Sequence, residues 1–523
     1  MKVWSKQFWW SFFGVLALAA TIRLYQLGNI PHGFTWDEAA IGYNGYAILT
    51  TRHDEWLVRL PISFRSFGDY KAPLAIYLNG FFTYVFGLTP FGVRLPFALA
   101  GVAAIAGWML LQIDLRLFKK HATELALTSG LLLALNPWHI HYSRIAFESG
   151  LSLAFAVWGW WLLVQTVRSE KKLKLLGLSF CSAVMLVASL YTYHSAKIVV
   201  PLMTIVVFLF AVKSSKKSFL RLLPVGGLSI LFVIPLVRDS LFGPGATRAG
   251  VLLFNQDLTL PELLRAIFDN AIAQFSPAFL LLGKNITTLR DGGGVWGFLH
   301  PTTYVLSLVA IPLSIWQKKR SRALIFASIL TVFGSLPAIL ATEAPHSNRG
   351  LFAVLGLILL ALVGAKLFLQ FITKYGQLLQ KTVLSLLVLL HLFFFLTYWQ
   401  KYTVEFASSS AAAFQDGSIE AFTIAHQYEL GSNGKQKVDQ IIFSSQYGQP
   451  YIYGLFVRKT DPIWYQGGSL NTYQFTDSIS IGDLHRVNTL VVATPSQNLP
   501  AEQADHIITG SDGSTRFEMY VTK

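Results

Sequence analysis

The chain has 523 residues, 53% of them hydrophobic and only 13% charged, where a soluble domain carries roughly 25%. Mean hydropathy is +0.49 and formal net charge is +15. These figures exclude an ordinary soluble globular protein. They also remove the need for nucleic acid as a partner, because Lys and Arg collect in the cytoplasmic loops of membrane proteins. The single cysteine, Cys181, lies in an apolar segment, which excludes an intrachain disulfide and a cysteine-rich metal site.

The first element is the run MKVWSKQFWWSFFGVLALAA. Its basic start and A-x-A-like end resemble a signal peptide. Apolar character continues to about Leu27, so the run reads as a retained helix over 7–27. Spanning segments need ~20 apolar residues. Further ones are predicted at 94–117, 123–138, 148–167, 175–193, 197–213, 221–237, 301–316, 322–341, 350–370 and 381–399, about eleven with the first. The stretch APLAIYLNGFFTYVFG (72–87) is also apolar. If it spanned, the basic loops LFKKH, RSEKKLK, KSSKKSFLR, QKKRSR and TKYGQLLQK would all face outward, against the positive-inside rule. It reads instead as an interfacial or re-entrant helix on the outer side, opened by proline.

The expected architecture is therefore a mainly α, polytopic membrane domain over 1–399 with a cytoplasmic N-terminus and long outer loops at 28–93 and 238–300. Residues 400–523 read as a small extracytoplasmic α/β domain. FQDGSIEAFTIAHQY has a helical pattern, while VDQIIFS and VNTLVVATP read as buried strands. DHIITGSDGSTRFEMYVTK reads as a terminal hairpin turning at SDGS.

The outer loops hold the chemically mixed residues. GFTWDEAAIGYNGY places Asp37 and Glu38 at the start of a predicted amphipathic helix lying on the membrane. Capping of the helix N-terminus explains one acid. A carboxylate that accepts a proton from an attacking hydroxyl is the functional alternative. In FGDYKAPLAIY, Tyr70 and Lys71 precede a proline-started helix, where a lysine either snorkels or binds a phosphate. Arg94, in FGVRLPF, is a cation on the outer side that the positive-inside rule does not explain. HIHYSRIAFES holds His139, His141, Arg144 and Glu148. The two histidines share a face only in an extended segment. Arg144 and Glu148 have the spacing of a helical ion pair. TEAPHSNR adds Glu343, His346 and Arg349, and RDGGGVWG reads as a flexible loop over the site. No P-loop and no D-x-D occur, which excludes ATP hydrolysis and gives no sign of a metal–nucleotide-sugar site.

An outward carboxylate base among cations at the lipid boundary suits an anionic, lipid-anchored substrate. In order, TWDEAAIGYNGYAIL, DYKAPLAIYLNGFF, FGVRLPFALAG and NPWHIHYSRIAFESG resemble the GT-C glycosyltransferases, among them the protein O-mannosyltransferases and lipid A aminoarabinose transferases. The resemblance is good over about 1–170 and loose beyond. It implies inverting transfer of a sugar from a polyprenyl-phosphate donor to a hydroxyl acceptor on the outer face of the plasma membrane. It implies Asp37 as general base with Glu38 beside it as second catalytic acid, and Lys71, Arg94, Arg144 and Arg349 as phosphate-binding or supporting cations. Tyr70, His141, Glu148 and His346 are further substrate-site candidates. No cofactor is required and no metal ligand is identified, although the chemistry tolerates a divalent ion. A transporter or lipid flippase is the alternative. It accounts for helices and cations but not for the outward acid pair.

Overall fold

A computed structural model describes residues 5–212, 219–466 and 470–523, without the side chains of 248–249. The first four residues and 213–218 of the predicted basic loop KSSKKSFLR lie outside the described residues.

Long apolar runs dictate the architecture, because backbone groups in lipid are satisfied within a helix. Among the described residues, eight helices are long and apolar enough to cross a membrane, from Lys6–Leu24 to Gln377–Ser409. Each coincides with a predicted span. The other three predicted spans hold shorter apolar helices, Ala122–Ala134, Ala196–Ala211 and Pro301–Trp316. At 1.5 Å per residue these are about 20–24 Å long, short of the ~30 Å hydrocarbon core. The chain is a multi-pass membrane protein. Its lipid-compatible surface is plain on the helix Gln377–Gln400, where Leu386, Val388, Leu389 and Phe393 are exposed.

The chain divides into two compact units. The first comprises Met1–Tyr25, Tyr70–Leu74 and Phe97–Tyr402. It contains α1 (Lys6–Leu24) and most of the long helices. Small residues let these pack closely. The hydroxyls of Ser152 and Ser189 meet at 2.8 Å between Glu148–Arg168 and Lys172–Thr192. A Cβ on Gly159 would stand 3.0 Å from the backbone nitrogen of Leu186 in the same helix pair.

The second unit comprises Gln26–Asp69, Ala75–Pro96 and Thr403–Lys523. Its central helix is α2 (Trp36–Thr51). α3 (Pro73–Phe86) covers the stretch read as interfacial and has 14 residues. α4 (Pro90–Asp114) follows it. α2 differs from the expected surface helix, because ten of its 16 residues are buried. Its small residues explain this. A Cβ on Gly45 would meet the carbonyl of Ile76 at 2.6 Å and the nitrogen of Gly80 at 2.7 Å, so only glycine permits this approach of α2 to α3. The other side of α2 meets the C-terminal residues. Phe34 packs on Phe456 with centroids 5.1 Å apart, and the Tyr43 hydroxyl donates to the carbonyl of Thr460 at 2.7 Å.

Besides the short strands β1 (Phe64–Ser66) and β2 (Asp69–Lys71), a mixed sheet forms from β3 (Gln440–Ser444), β4 (Tyr473–Thr476), β5 (Thr489–Ala493), β6 (His506–Thr509) and β7 (Thr515–Val521) in the order β4-β3-β5-β7-β6. β3 runs parallel to β4 and β5, and β7 antiparallel to β5 and β6. Alternation sends Ile442, Val491 and Tyr520 into one core. Phe443 faces the other side and stacks on Phe422 of the helix Ser418–Leu430, 4.1 Å between centroids. The predicted helix, both predicted strands and the terminal hairpin are all present. β4 and the helix Pro450–Arg458 were not foreseen.

Candidate active site

The acid pair opens α2, and the two acids have different surroundings. Thr35 is the N-cap, and its side chain accepts from the backbone N–H of Glu38 at 3.1 Å. The Glu38 carboxylate accepts in return from the Thr35 N–H at 3.1 Å, completing a capping box. The same carboxylate accepts two hydrogen bonds from Arg94, Nε to Oε1 at 2.8 Å and Nη2 to Oε2 at 3.1 Å. Both side chains are fully buried. The remaining Arg94 donors go to the carbonyls of Leu27, Pro31 and Gly33. All five guanidinium N–H groups are thus engaged. Asp37 stands one residue earlier in the first turn, half-buried. The capping box and the guanidinium both use Glu38, the more deeply buried of the two acids.

A second acidic pair, Asp54 and Glu55, stands near the start of the loop after α2. Sequence reasoning passed over it, although HDEW repeats the look of TWDE. Glu55 is fully buried. Its Oε1 accepts from Asn44 Nδ2 at 3.3 Å, and its own N–H donates to Asn44 Oδ1 at 2.9 Å. Gln466 donates to its carbonyl at 2.7 Å. Burial pushes the Glu55 carboxyl up to about 8, with the Asp54 charge adding to the rise and the Asn44 hydrogen bond opposing it.

In the first unit the predicted cations fall into two kinds. Arg144 precedes α7 (Glu148–Arg168), so the expected helical pair with Glu148 does not form. Its guanidinium instead donates to the carbonyls of Ile22, Arg23 and Tyr25 at 2.7, 3.0 and 2.7 Å. These belong to the C-terminal end of α1, whose last carbonyls have no partner within the helix. Arg144 is therefore a helix cap. Glu148 is the half-buried first residue of α7, where an acid suits the helix dipole.

Arg349 and His346 are of the other kind. Arg349 Nη2 lies 3.6 Å from Glu343 Oε2, while its Nη1 is buried without a hydrogen-bond partner. His346 Nδ1 is buried and unpartnered as well. Burial, then the charges of Arg349 and Arg290, hold the His346 imidazole down to about 3. It is neutral at any physiological pH. Buried polar atoms left unsatisfied beside two guanidinium groups have the chemistry that suits an anion. Arg290 was missed as a candidate because RDGGGVWG was read for its glycines.

That loop is held rather than flexible. Gly292, Gly293 and Gly294 take φ of +86°, +85° and +77°, which a side chain rarely adopts. The carbonyl of Asp291 accepts from Tyr142 at 3.2 Å and Ser347 at 2.8 Å. His141 meets the carbonyl of Arg290 at 3.0 Å and the Trp296 ring at 5.6 Å. His139 turns to Arg23 instead, at 2.7 Å. The two histidines lie in one short helix, Pro137–His141, so they take separate partners. Tyr70 and Lys71 end β2, half-buried, just before Pro73 opens α3. Among the described residues no group of three His, Cys, Asp or Glu is placed to hold a metal ion.

No protein-family model and no curated protein sequence matches the chain. Solved structures do. ArnT from Cupriavidus metallidurans, bound to undecaprenyl phosphate, matches with a TM-score of 0.51 at 12% identity, over 98% of this chain and 98% of its own. The archaeal oligosaccharyltransferase AglB from Archaeoglobus fulgidus, in complex with an inhibitory peptide and a dolichol-phosphate, gives 0.48 at 13% identity, covering 88% of this chain. This chain spans 64% of the AglB length. The Pmt1-Pmt2 protein O-mannosyltransferase complex of S. cerevisiae, bound to the sugar donor, gives 0.34 at 17% identity, over 47% of this chain and 35% of its own. All three are GT-C glycosyltransferases, and the ArnT match shows the likeness read from the motifs at the level of the fold. The ArnT match carries that fold over nearly the whole chain.

Proposed function

We propose that this chain is a membrane glycosyltransferase that moves a sugar from a polyprenyl-phosphate carrier to a hydroxyl acceptor on the outer face of the membrane, with Asp37 as general base. One observation carries the base assignment. Asp37 is half-buried in the first turn of α2, whereas Glu38 beside it is fully buried against Arg94 and closes the capping box, so Asp37 is the more accessible acid of the pair. Glu38 and Arg94 then position the first turn of α2 rather than touch substrate. Arg144 positions the end of α1 in the same way. The undecaprenyl phosphate in the ArnT structure supports a polyprenyl phosphate as carrier.

The reaction is a single displacement. The acceptor hydroxyl gives its proton to Asp37 while its oxygen bonds to the anomeric carbon. The bond from that carbon to the phosphate oxygen breaks, and its electron pair leaves with the polyprenyl phosphate. Attack opposite the leaving group inverts the anomeric centre. The charge that develops on the phosphate calls for cations, and Lys71, Arg290 and Arg349 are the candidates for it, with neutral His346 as a candidate hydrogen-bond partner. Phosphate is a competent leaving group, so the step as written draws on no metal.

The test is sugar transfer from a polyprenyl-phosphate donor in proteoliposomes. Asp37→Asn should lower turnover by roughly 10²–10⁴ with an unchanged thermal midpoint. Near-normal turnover would sink the base assignment. Arg349→Ala and Lys71→Ala should weaken donor binding, and unchanged affinity in both would remove the phosphate roles.

A further inference from the structure

A cleft of about 500 Å³ opens within the second unit, on the stretch that leads into α2. Its size is ordinary for a ligand site, ~300–1,000 Å³. Gly33 and Phe34 line it, and the chain continues from them through the Thr35 cap to Asp37. The opposite wall is the start of the helix Ser418–Leu430, with Gln415, Asp416 and Glu420.

The lining chemistry is selective. No Lys or Arg is present, and two carboxylates are. In a chain of net charge +15 the cleft is thus lined without the Lys and Arg side chains that bind phosphates and other anions. Asp416 is committed to the fold, accepting from Ser511 N and Oγ, both at 2.8 Å. Gln415 accepts from Trp36 N at 3.4 Å. Asn29, His32 and Glu420 make no side-chain hydrogen bond among the described residues. An amide, an imidazole and a carboxylate therefore face the cleft with donors and acceptors unspent, and Pro90 adds an apolar patch. Mixed donors and acceptors around a small apolar surface match the alternating hydroxyl and C–H faces of a sugar.

We propose that this cleft binds an uncharged, hydroxyl-rich glycan, the acceptor of the transfer reaction. The inference rests on the glycosyltransferase reading for the word acceptor, and on the cleft alone for the class of ligand. None of the cations proposed for the donor phosphate lines the cleft, so the cleft suits the uncharged substrate.

The full chain in nanodiscs is titrated with maltotriose, mannotriose and chitotriose and followed by saturation-transfer NMR. At least one trisaccharide should bind. Asn29→Trp, which fills the cleft from an exposed position, should weaken that binding at least tenfold while leaving binding of undecaprenyl phosphate unchanged. Glu420→Lys, at an exposed site that tolerates charge, should weaken it in the same direction. Absence of binding by all three sugars overturns the proposal. So does equal binding by wild type and both variants, or binding of a lysine-rich peptide in place of the sugars. If a trisaccharide binds and is lost in Asn29→Trp, yet the wild type transfers no sugar from any polyprenyl-phosphate donor, the cleft stands and the glycosyltransferase reading falls.

Discussion

Glu38 and Arg94 form a buried, two-pronged ion pair with every guanidinium donor engaged. Removing one partner strands the other charge away from water, which costs about 3–5 kcal/mol. Arg94→Met should therefore lower the thermal midpoint sharply, and Arg94→Met combined with Glu38→Gln should recover part of the loss. A double variant as unstable as the sum of the two singles would show that the pair is not coupled. Asp37→Asn is expected to behave in the opposite way, with a normal midpoint and little turnover. Glu55 gives a pH-dependent counterpart. Its carboxyl sits at about 8 in the fold, above its ordinary value, because burial favours the protonated form. The stability it contributes is full below the unfolded pKa, near ~4.3, and is lost as pH rises through about 8. Asp54, Tyr43, Tyr451 and Tyr465 surround it, and none supplies a positive charge. Thermal midpoints should fall from pH 5 to pH 9 in the wild type and fall less in Glu55→Gln. Identical slopes in the two proteins would remove Glu55 as the titrating group.

The helices were readable because burial in lipid and in a helix bundle both demand long apolar runs, and these are local in sequence. The terminal hairpin was readable for the same reason, its turn residues lying between two apolar strands. β4 is a four-residue YQFT with mixed burial, which carries no period of its own and is fixed only by pairing with β3. The capping role of Glu38 was legible from T-x-x-E, and its tie to Arg94, 56 residues away, was not, because contacts between distant segments leave no local pattern. Glu55 and Arg290 escaped for a similar reason, since their significance lies in burial and neighbours rather than in a motif. The surface helix expected from Asp37 and Glu38 onward is buried because Gly45 and Gly80 let α2 and α3 touch backbone to backbone. A hydropathy pattern does not register that contact. Gly80→Leu tests it. The added side chain would enter the space held by Gly45, so α2 must shift or the pair must part. Overpacking of this kind costs about 1–3 kcal/mol or more, and turnover should fall with stability as the first turn of α2 moves. A variant with normal midpoint and turnover would mean that the two helices are free to separate.

At the scale of the molecule, the orientation in the membrane turns on α3. Its 14 residues make a rod of about 21 Å, slightly longer than Ala122–Ala134, the helix of a predicted span, so length does not separate it from the crossings. The positive-inside rule separates them, because leaving α3 out of the count puts five basic loops on the cytoplasmic side. With a cytoplasmic N-terminus and eleven crossings, eight precede Arg320, which then lies inside. All eleven precede Ala501, which then lies outside. If α3 also crossed, both positions would exchange sides. Single cysteines distinguish the two arrangements, and the chain is suited to this because Cys181 is its one native thiol. Arg320 and Ala501 are both exposed. In a Cys181→Ser background, Ala501→Cys should react with a membrane-impermeant maleimide on intact cells, and Arg320→Cys should react only after permeabilisation. The reverse pattern would make α3 a twelfth crossing and place the acid-bearing loop on the opposite side from the C-terminal domain. The two share one compact unit, with the Tyr453 hydroxyl 2.7 Å from the carbonyl of Phe34, so the fold itself already demands that they lie on the same side.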